Sequence, residues 1–381
     1  MIQPEDELTA LLTLSKIEGL GLKRGHILYS EAGSALEIFR RYKELNDILP
    51  GVTKDISSVL DDSGSLFMAR KEVQFIREHG IRALTPEDND YPERLRECED
   101  APLVLFSMGN VDYNVKHVVG IVGTRRATEY GRQMTDAFIK KVSESCPGTL
   151  FVSGLAYGID IECHKACMKY GAPTVGVLAH GLDRIYPAAH RKYAKEMLQN
   201  GGLATEFQTG IFPDKFNFVQ RNRIIAGLSD AVLVVESAAK GGSLITAEFA
   251  EMYSRDCFAF PGNVGEMYSE GCNHLIRDNK AALICSGEDF LVSMGWAKAE
   301  DTKGAESAQL ELFSVLDKLS DKERQIFLAL QNAGRMGLHV NDLSHCVGIS
   351  ISELMGILFT MEIEGYLRPV PGGYYRLVQR G

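Results

Sequence analysis

From about residue 118 onward the chain repeats one pattern: a short, largely apolar run, a glycine-bearing turn, then a stretch of helical period. The runs are 118–122, 149–152, 174–178, 203–206, 231–236, 257–260 and 282–285, and helical patterns such as 131–145 and 159–170 lie between most of them. A strand covered on both faces reads as a continuous apolar run, whereas a half-solvated strand alternates. Alternation of such strands with helices predicts an α/β fold over 66–297, a Rossmann-like, doubly wound, mostly parallel sheet. Ligands of that architecture bind beyond the carboxyl ends of the strands.

The flanks carry different patterns. Residues 1–65 hold two helix–turn repeats: Ile17, Gly19 and Gly21 precede Ile27 and Leu28, and Pro50 and Gly51 precede Ile56 and Val59. They predict a small helical domain of sterile-alpha-motif or helix-hairpin-helix type, whose hairpin amides are able to hold a phosphate. Residues 298–318 are polar and pattern-free, as in a linker. In 319–381, Ser320 with Glu323 and Ser350 with Glu353 form capping boxes. With a helix over 340–346 between them and a hairpin over 366–377 tipped by Pro371, Gly372 and Gly373, they predict a winged helix. Its reading helix carries Glu353, Glu362 and Glu364 and no Lys or Arg, so it suits protein contact at least as well as DNA.

Charge narrows the choice of ligand. The 381 residues carry a net charge of −10, which argues against nonspecific coating of nucleic acid. Yet from Lys116 to Arg223 there are fifteen Lys and Arg against nine Asp and Glu, a local excess suited to phosphate. No apolar run is long enough to span a bilayer, and Met1 to Glu7 lack the basic flank and apolar block of a signal peptide. The eight cysteines include no Cys-x-x-Cys pair. Cys163 and Cys167 flank His164 one helical turn apart, and without further ligands nearby a buried apolar role is the better reading. The expectation is a cytoplasmic, reduced, metal-free protein.

Candidate chemistry gathers at the carboxyl ends of the predicted strands. Arg221, Asn222 and Arg223 follow Phe212, Phe216 and Phe218 by a few residues. Guanidiniums match phosphate oxygens, and aromatic rings stack on unpaired bases whatever their identity. The alternative is structural: Arg221 and Arg223 paired with Glu206 and Asp230, and the phenylalanines in the core. Four glycine turns follow strands: Gly123 to Arg126, Ser153 to Asp160, Lys240 to Ser243, and Phe260 to Asn263. Glycine lets backbone approach a ligand, and a following helix offers its first amides to an anion. With Arg125, Arg126 and Lys240 beside them, the turns read as an anion-binding rim. Neither Gly-x-Gly-x-x-Gly nor Gly-Lys-Ser/Thr is present, so no NAD, ATP or other cofactor is expected.

In order along the chain, the motifs at 120–125, 153–160, 181–187, 221–229, 242–247 and 260–263 resemble those of the DNA-processing protein A (DprA/Smf) family. The resemblance runs through about residues 80–290, and the flanking blocks fit that family's frequent plan. It implies a single-stranded DNA-binding protein of natural transformation and recombination. Such a protein protects incoming strands and helps load the RecA recombinase, usually as a homodimer and without catalysis. Carried over by motif, Gly123, Thr124 and Arg125 would hold a phosphate, with Ser153 and Gly154 lining the pocket. Lys215, Phe218 and Arg221 to Arg223 would track the strand. Three positions depart from the family pattern: Gly241 replaces a serine in the turn Lys240-Gly241-Gly242-Ser243, His190 replaces an asparagine, and Asn279-Lys280 replace a glycine.

A second reading is enzymatic. Gly241 to Glu248 loosely resembles the Gly-Gly-x-Gly-Thr-x-x-Glu signature of nucleotide phosphoribohydrolases. Here Leu244-Ile245 stand at its Gly-Thr core, and Thr246 and Glu248 fall out of register. A nucleotide-sensing module signalling through the winged helix is a third possibility.

Overall fold

The computed structural model describes residues 4–17, 20–47, 50–61, 63–296, 319–333, 337–364, 366–370 and 374–377. Two units divide the chain, 1–297 and 298–381.

The first unit is built on nine strands: β1 (Arg82–Leu84), β2 (Leu105–Gly109), β3 (Val118–Val122), β4 (Leu150–Gly154), β5 (Thr174–Val177), β6 (Gly201–Thr205), β7 (Ala231–Val234), β8 (Asp256–Ala259) and β9 (Ala282–Leu283). Their order is β1-β2-β6-β5-β4-β3-β7-β8-β9. From β6 to β9 every pairing is parallel, while β1 and β2 add an antiparallel edge. All seven expected strands are present, and the Rossmann-like, mostly parallel sheet is the observed fold. β1 and β2 went unpredicted: β1 is three residues long, and the apolar run Leu103 to Phe106 that leads into β2 was passed over.

Strand register explains the layers. Val119 and Ile121 of β3 pack with Phe138, Ile139 and Phe290 on one face, and Val118 and Val122 pack with Ile224, Ile225 and Ala247 on the other. The parallel part of the sheet starts at β3 in the middle, winds outward to β6, then crosses back to β7 on the far side of β3. That crossover is the helix Lys215–Leu228. Asp214 caps it by accepting from Asn217 N–H at 2.8 Å. Gly120 lets it sit close, because a Cβ there would lie 2.7 Å from Ser229 Oγ.

Helices Glu7–Leu14, Gly21–Ala32, Ala35–Arg41, Val52–Asp61 and Ser63–Glu78 precede the sheet. The boundary expected at residue 65 falls inside the last of these. This block shares one core with the sheet edge, where Leu11, Leu28, Ile38 and Phe39 meet Leu103, Val104 and Phe106. Of the two expected hairpins, Glu18, Gly19, Ile48 and Leu49 lie outside the described residues.

The second unit is a winged helix: helices Asp321–Asn332, Val340–Val347 and Ile351–Ile363 with β10 (Leu338–His339), β11 (Leu367–Val370) and β12 (Tyr374–Leu377) in the order β10-β12-β11. The Glu323 carboxylate accepts from Ser320 N–H at 2.9 Å and Ser350 Oγ from Glu353 N–H at 3.4 Å, as the capping boxes predict. Leu330, Leu343, Leu354, Leu358 and Met361 form its core. The expected linker and the Pro-Gly-Gly tip lie outside the described residues.

Candidate nucleic-acid interface

Reversal of winding between β3 and β7 leaves a crevice of about 740 Å³ at the carboxyl ends of the strands. The turn after β3 gives it Gly123, Thr124 and Arg125; the turn after β7 gives Lys240, Gly241, Gly242 and Ser243; the crossover helix gives Lys215, Phe218, Arg221 and Asn222. Arg126, Ser153, Gly154, Phe216 and Arg223 do not line it.

Helical geometry accounts for part of that division. Residues three, four and seven apart share a helix face, so Phe218, Arg221, Asn222 and Ile225 face the crevice together, with Val219 beside them, while Phe216 and Arg223 do not line it. Phe216 points outward, 73% exposed. Arg223 is buried, paired with the Glu206 carboxylate and donating to Asp100 O. The expectation that it meets a strand is corrected in favour of the internal ion pair. Asp230, the other carboxylate considered, pairs with Arg94 at 2.6 Å.

Ser153 and Gly154 are corrected too. Ser153 is fully buried and donates to Ile121 O at 2.6 Å. A Cβ on Gly154 would collide with Arg221 Nη1 and Asp160 Oδ2. Gly154 therefore gives passage to a buried Arg221–Asp160 couple beneath the crevice. Burial pushes the Asp160 carboxyl up in spite of Arg221, and it lowers the Arg221 guanidinium. Arg221 donates to Val177 O, and its Nε–H has no partner.

Two amides of the first turn are already engaged. Thr124 N–H donates to Glu236 O at 2.8 Å and Arg126 N–H to Thr124 Oγ1 at 3.1 Å. At the start of helix Glu129–Ser145, Thr128 N–H and Oγ1 donate to the buried Glu236 carboxylate at 2.9 and 2.6 Å. The anion at that helix N-terminus is the protein's own. An open N-terminus stands across the crevice instead. Helix Gly242–Met252 begins at Gly241 with no side-chain cap, a Cβ on Gly242 would meet nothing within 4 Å, and Lys240 flanks it. Asn222 Nδ2 donates to Gly242 O at 3.3 Å, tying this turn to the crossover helix.

Among the described residues Arg125, Arg126, Lys215 and Lys240 make no ion pair. Arg125 is exposed and lies over the Phe218 ring at 4.7 Å, and Tyr186 is 6.1 Å from that ring. Outside the crevice lining, Arg184, which pairs with Asp183, lies over Phe212 at 3.8 Å. Tyr157, Tyr186 and Phe212 are half or more exposed, or close to it. Arg221 also lies 5.8 Å from the Phe218 ring, and Arg184 is held by Asp183, so of these guanidiniums Arg125 is the exposed one with no ion pair.

Tyr186 belongs to a motif already noted, but nothing marked it as a crevice residue before the loops were placed. Nor was the brace from the N-terminal helices visible. The buried Glu72 carboxylate accepts from Thr209 N–H at 3.0 Å and from its hydroxyl. Gln208 Nε2 donates to Leu12 O and Ser15 Oγ at 3.2 and 2.8 Å. Together they fix the loop that enters the crossover helix.

Two other candidates have different places. Glu248 is exposed and does not line the crevice. Cys163 and Cys167 are buried in helix Ile159–Tyr170, and His164 Nε2 donates to Gly154 O at 2.5 Å. Among the described residues no three His, Cys, Asp or Glu side chains gather as metal ligands would.

Fold and crevice thus define a class: a Rossmann-like protein with a cationic, aromatic-rimmed crevice at its switch point and a separate winged-helix unit. Residues 82–295 match the family model of DNA recombination-mediator protein A, and 314–373 match the DprA winged helix domain. The chain belongs to the DNA-processing protein A (DprA/Smf) family. It is 32% identical over 330 residues to the putative DNA processing protein DprA of Mycobacterium tuberculosis, spanning 82% of this chain and 81% of that one. It is 40% identical over 231 residues to protein Smf of Synechocystis, spanning 58% of this chain and 57% of the relative. The X-ray structure of DprA from Streptococcus pneumoniae superposes with a TM-score of 0.61 at 31% identity, covering 76% of this chain and 98% of that one. DNA processing protein A from Helicobacter pylori, whose structure concerns single-stranded DNA binding, gives 0.51 at 29%, covering 56% and 95%.

Proposed function

We propose that this chain binds single-stranded DNA along the crevice. In this reading a phosphate sits at the open N-terminus of helix Gly242–Met252 beside Lys240, and Arg125 meets a neighbouring phosphate. Bases stack on Tyr186, Phe212 and the Phe218–Arg125 pair. The carrying observation is that Arg125, Lys215 and Lys240, the Tyr186 and Phe218 rings and the open helix end share one crevice. A phosphate needs the first and third, and an unpaired base needs the second. Membership of the family supports the wider role: a cytoplasmic, non-catalytic protein, acting as a homodimer, that protects incoming strands and helps load RecA during transformation and recombination.

A competition titration tests the substrate: a single strand of about twenty nucleotides, its duplex and a free mononucleotide. Single strands should outcompete duplex with little sequence preference. Saturation by the mononucleotide would support a sensor or hydrolase and sink the strand-binding reading.

A further inference from the structure

Helix Ile351–Ile363 of the winged helix buries Leu354, Leu358 and Met361 and shows a second apolar ridge to solvent. Ile351, Met355, Phe359 and Ile363 are 48%, 44%, 64% and 71% exposed. Their four-residue spacing aligns them in one row along the helix, about 18 Å long at 1.5 Å per residue. Tyr375 of β12 donates its hydroxyl to Met355 Sδ at 3.8 Å, so the wing borders the ridge. Contiguous exposed apolar side chains mark binding surfaces, whereas scattered ones do not.

Charge selects the occupant. The helix and its cap carry Glu353, Glu362 and Glu364 and no Lys or Arg, with Glu353 held by Lys322. Duplex DNA and an anionic membrane would both be repelled. A second copy would bring no Lys or Arg from its own reading helix to Glu362 and Glu364. A helix with its own apolar row flanked by Lys and Arg would satisfy ridge and carboxylates together. We propose that this face, which in other winged helices reads DNA, docks a basic amphipathic helix of a protein partner. The proposal stands independently of the crevice.

The test uses the full chain and a fluorescent synthetic peptide with leucines at three- and four-residue spacing and lysines on both flanks. Controls are the same residues in scrambled order and a version with glutamates in place of the lysines. The basic, ordered peptide should bind at least tenfold more tightly than either control. Phe359→Glu and, separately, Ile363→Ser should each weaken it at least tenfold without changing thermal stability or single-strand affinity. Equal binding of the scrambled peptide, or indifference to both substitutions, overturns the proposal. So does self-association of the wild type that Phe359→Glu abolishes, which would assign the ridge to a second copy. Duplex binding abolished by Phe359→Glu would return it to DNA.

Discussion

Helix Lys215–Leu228 and helix Ile351–Ile363 each stand where their folds present a ligand-binding helix, the one at a Rossmann switch point and the other as the reading helix of a winged helix. Their exposed faces are chemical opposites. The first turns Lys215, Phe218 and Asn222 to a crevice that also receives Arg125 and Lys240. The second shows four aliphatic or aromatic side chains among glutamates. Architecture says where a ligand goes, and the side chains say which one. Among the described residues, the crevice gathers cations that make no ion pair, whereas the reading helix carries none.

The largest expected effect sits on the back of the crevice helix. Arg223→Ala would leave the buried Glu206 carboxylate without its partner, at a cost of about 3–5 kcal/mol of stability. Urea unfolding should show a lowered midpoint, while folded protein keeps its dependence of affinity on salt. Unchanged stability with a flatter salt slope would move Arg223 into the crevice and undo the two-sided reading of this helix. Next comes Arg125→Ala, which removes an exposed guanidinium with no ion pair. Single-strand binding should weaken by about 1–3 kcal/mol, the scale of a charge-assisted contact. The slope of log affinity against log salt should flatten by about 0.7. Undiminished binding by a stable Arg125→Ala protein would exclude this turn.

How far the sequence could be read follows from the same contrast. β3 and β7, 118–122 and 231–234, were visible because strands buried on both faces are unbroken apolar runs. β1, three residues long and paired at the edge, was not, and the apolar run Leu103 to Phe106 that leads into β2 was passed over. Eleven of the sixteen expected residues line the crevice, and they were chosen by residue type at strand ends. Arg223 and Phe216 were grouped with Arg221 and Phe218 because neighbours in sequence were treated as neighbours in space, yet neither lines the crevice. The amides of the first turn looked free because Glu236 lies more than a hundred residues from Thr128.

A smaller effect tests the brace behind the crevice. Glu72→Gln keeps the shape and one acceptor while removing the charge from the bonds to Thr209. The loss should be about 1 kcal/mol, the difference between charged and neutral hydrogen bonds. It should appear as weaker single-strand binding together with faster proteolysis in 206–214. If neither changes, the N-terminal helices do not hold the entry to helix Lys215–Leu228.

The smallest expected effect is the one that most directly separates the two helices. Deleting 298–381 removes the whole second unit and leaves the crevice, every residue of which lies in the first. If a polyanion is held only by unpaired cations and aromatic rings at the switch point, single-strand affinity should fall by less than tenfold, below about 1.4 kcal/mol. The salt slope should barely move, since the reading helix offers no cation whose loss would release fewer counterions. Circular dichroism establishes that the shortened chain is folded before affinity is compared. A tenfold or greater loss in a folded protein, with a flatter slope, would place phosphate contacts in the winged helix. The contrast between the two helices would then fail, because acidic side chains on one face would not have kept the unit from DNA.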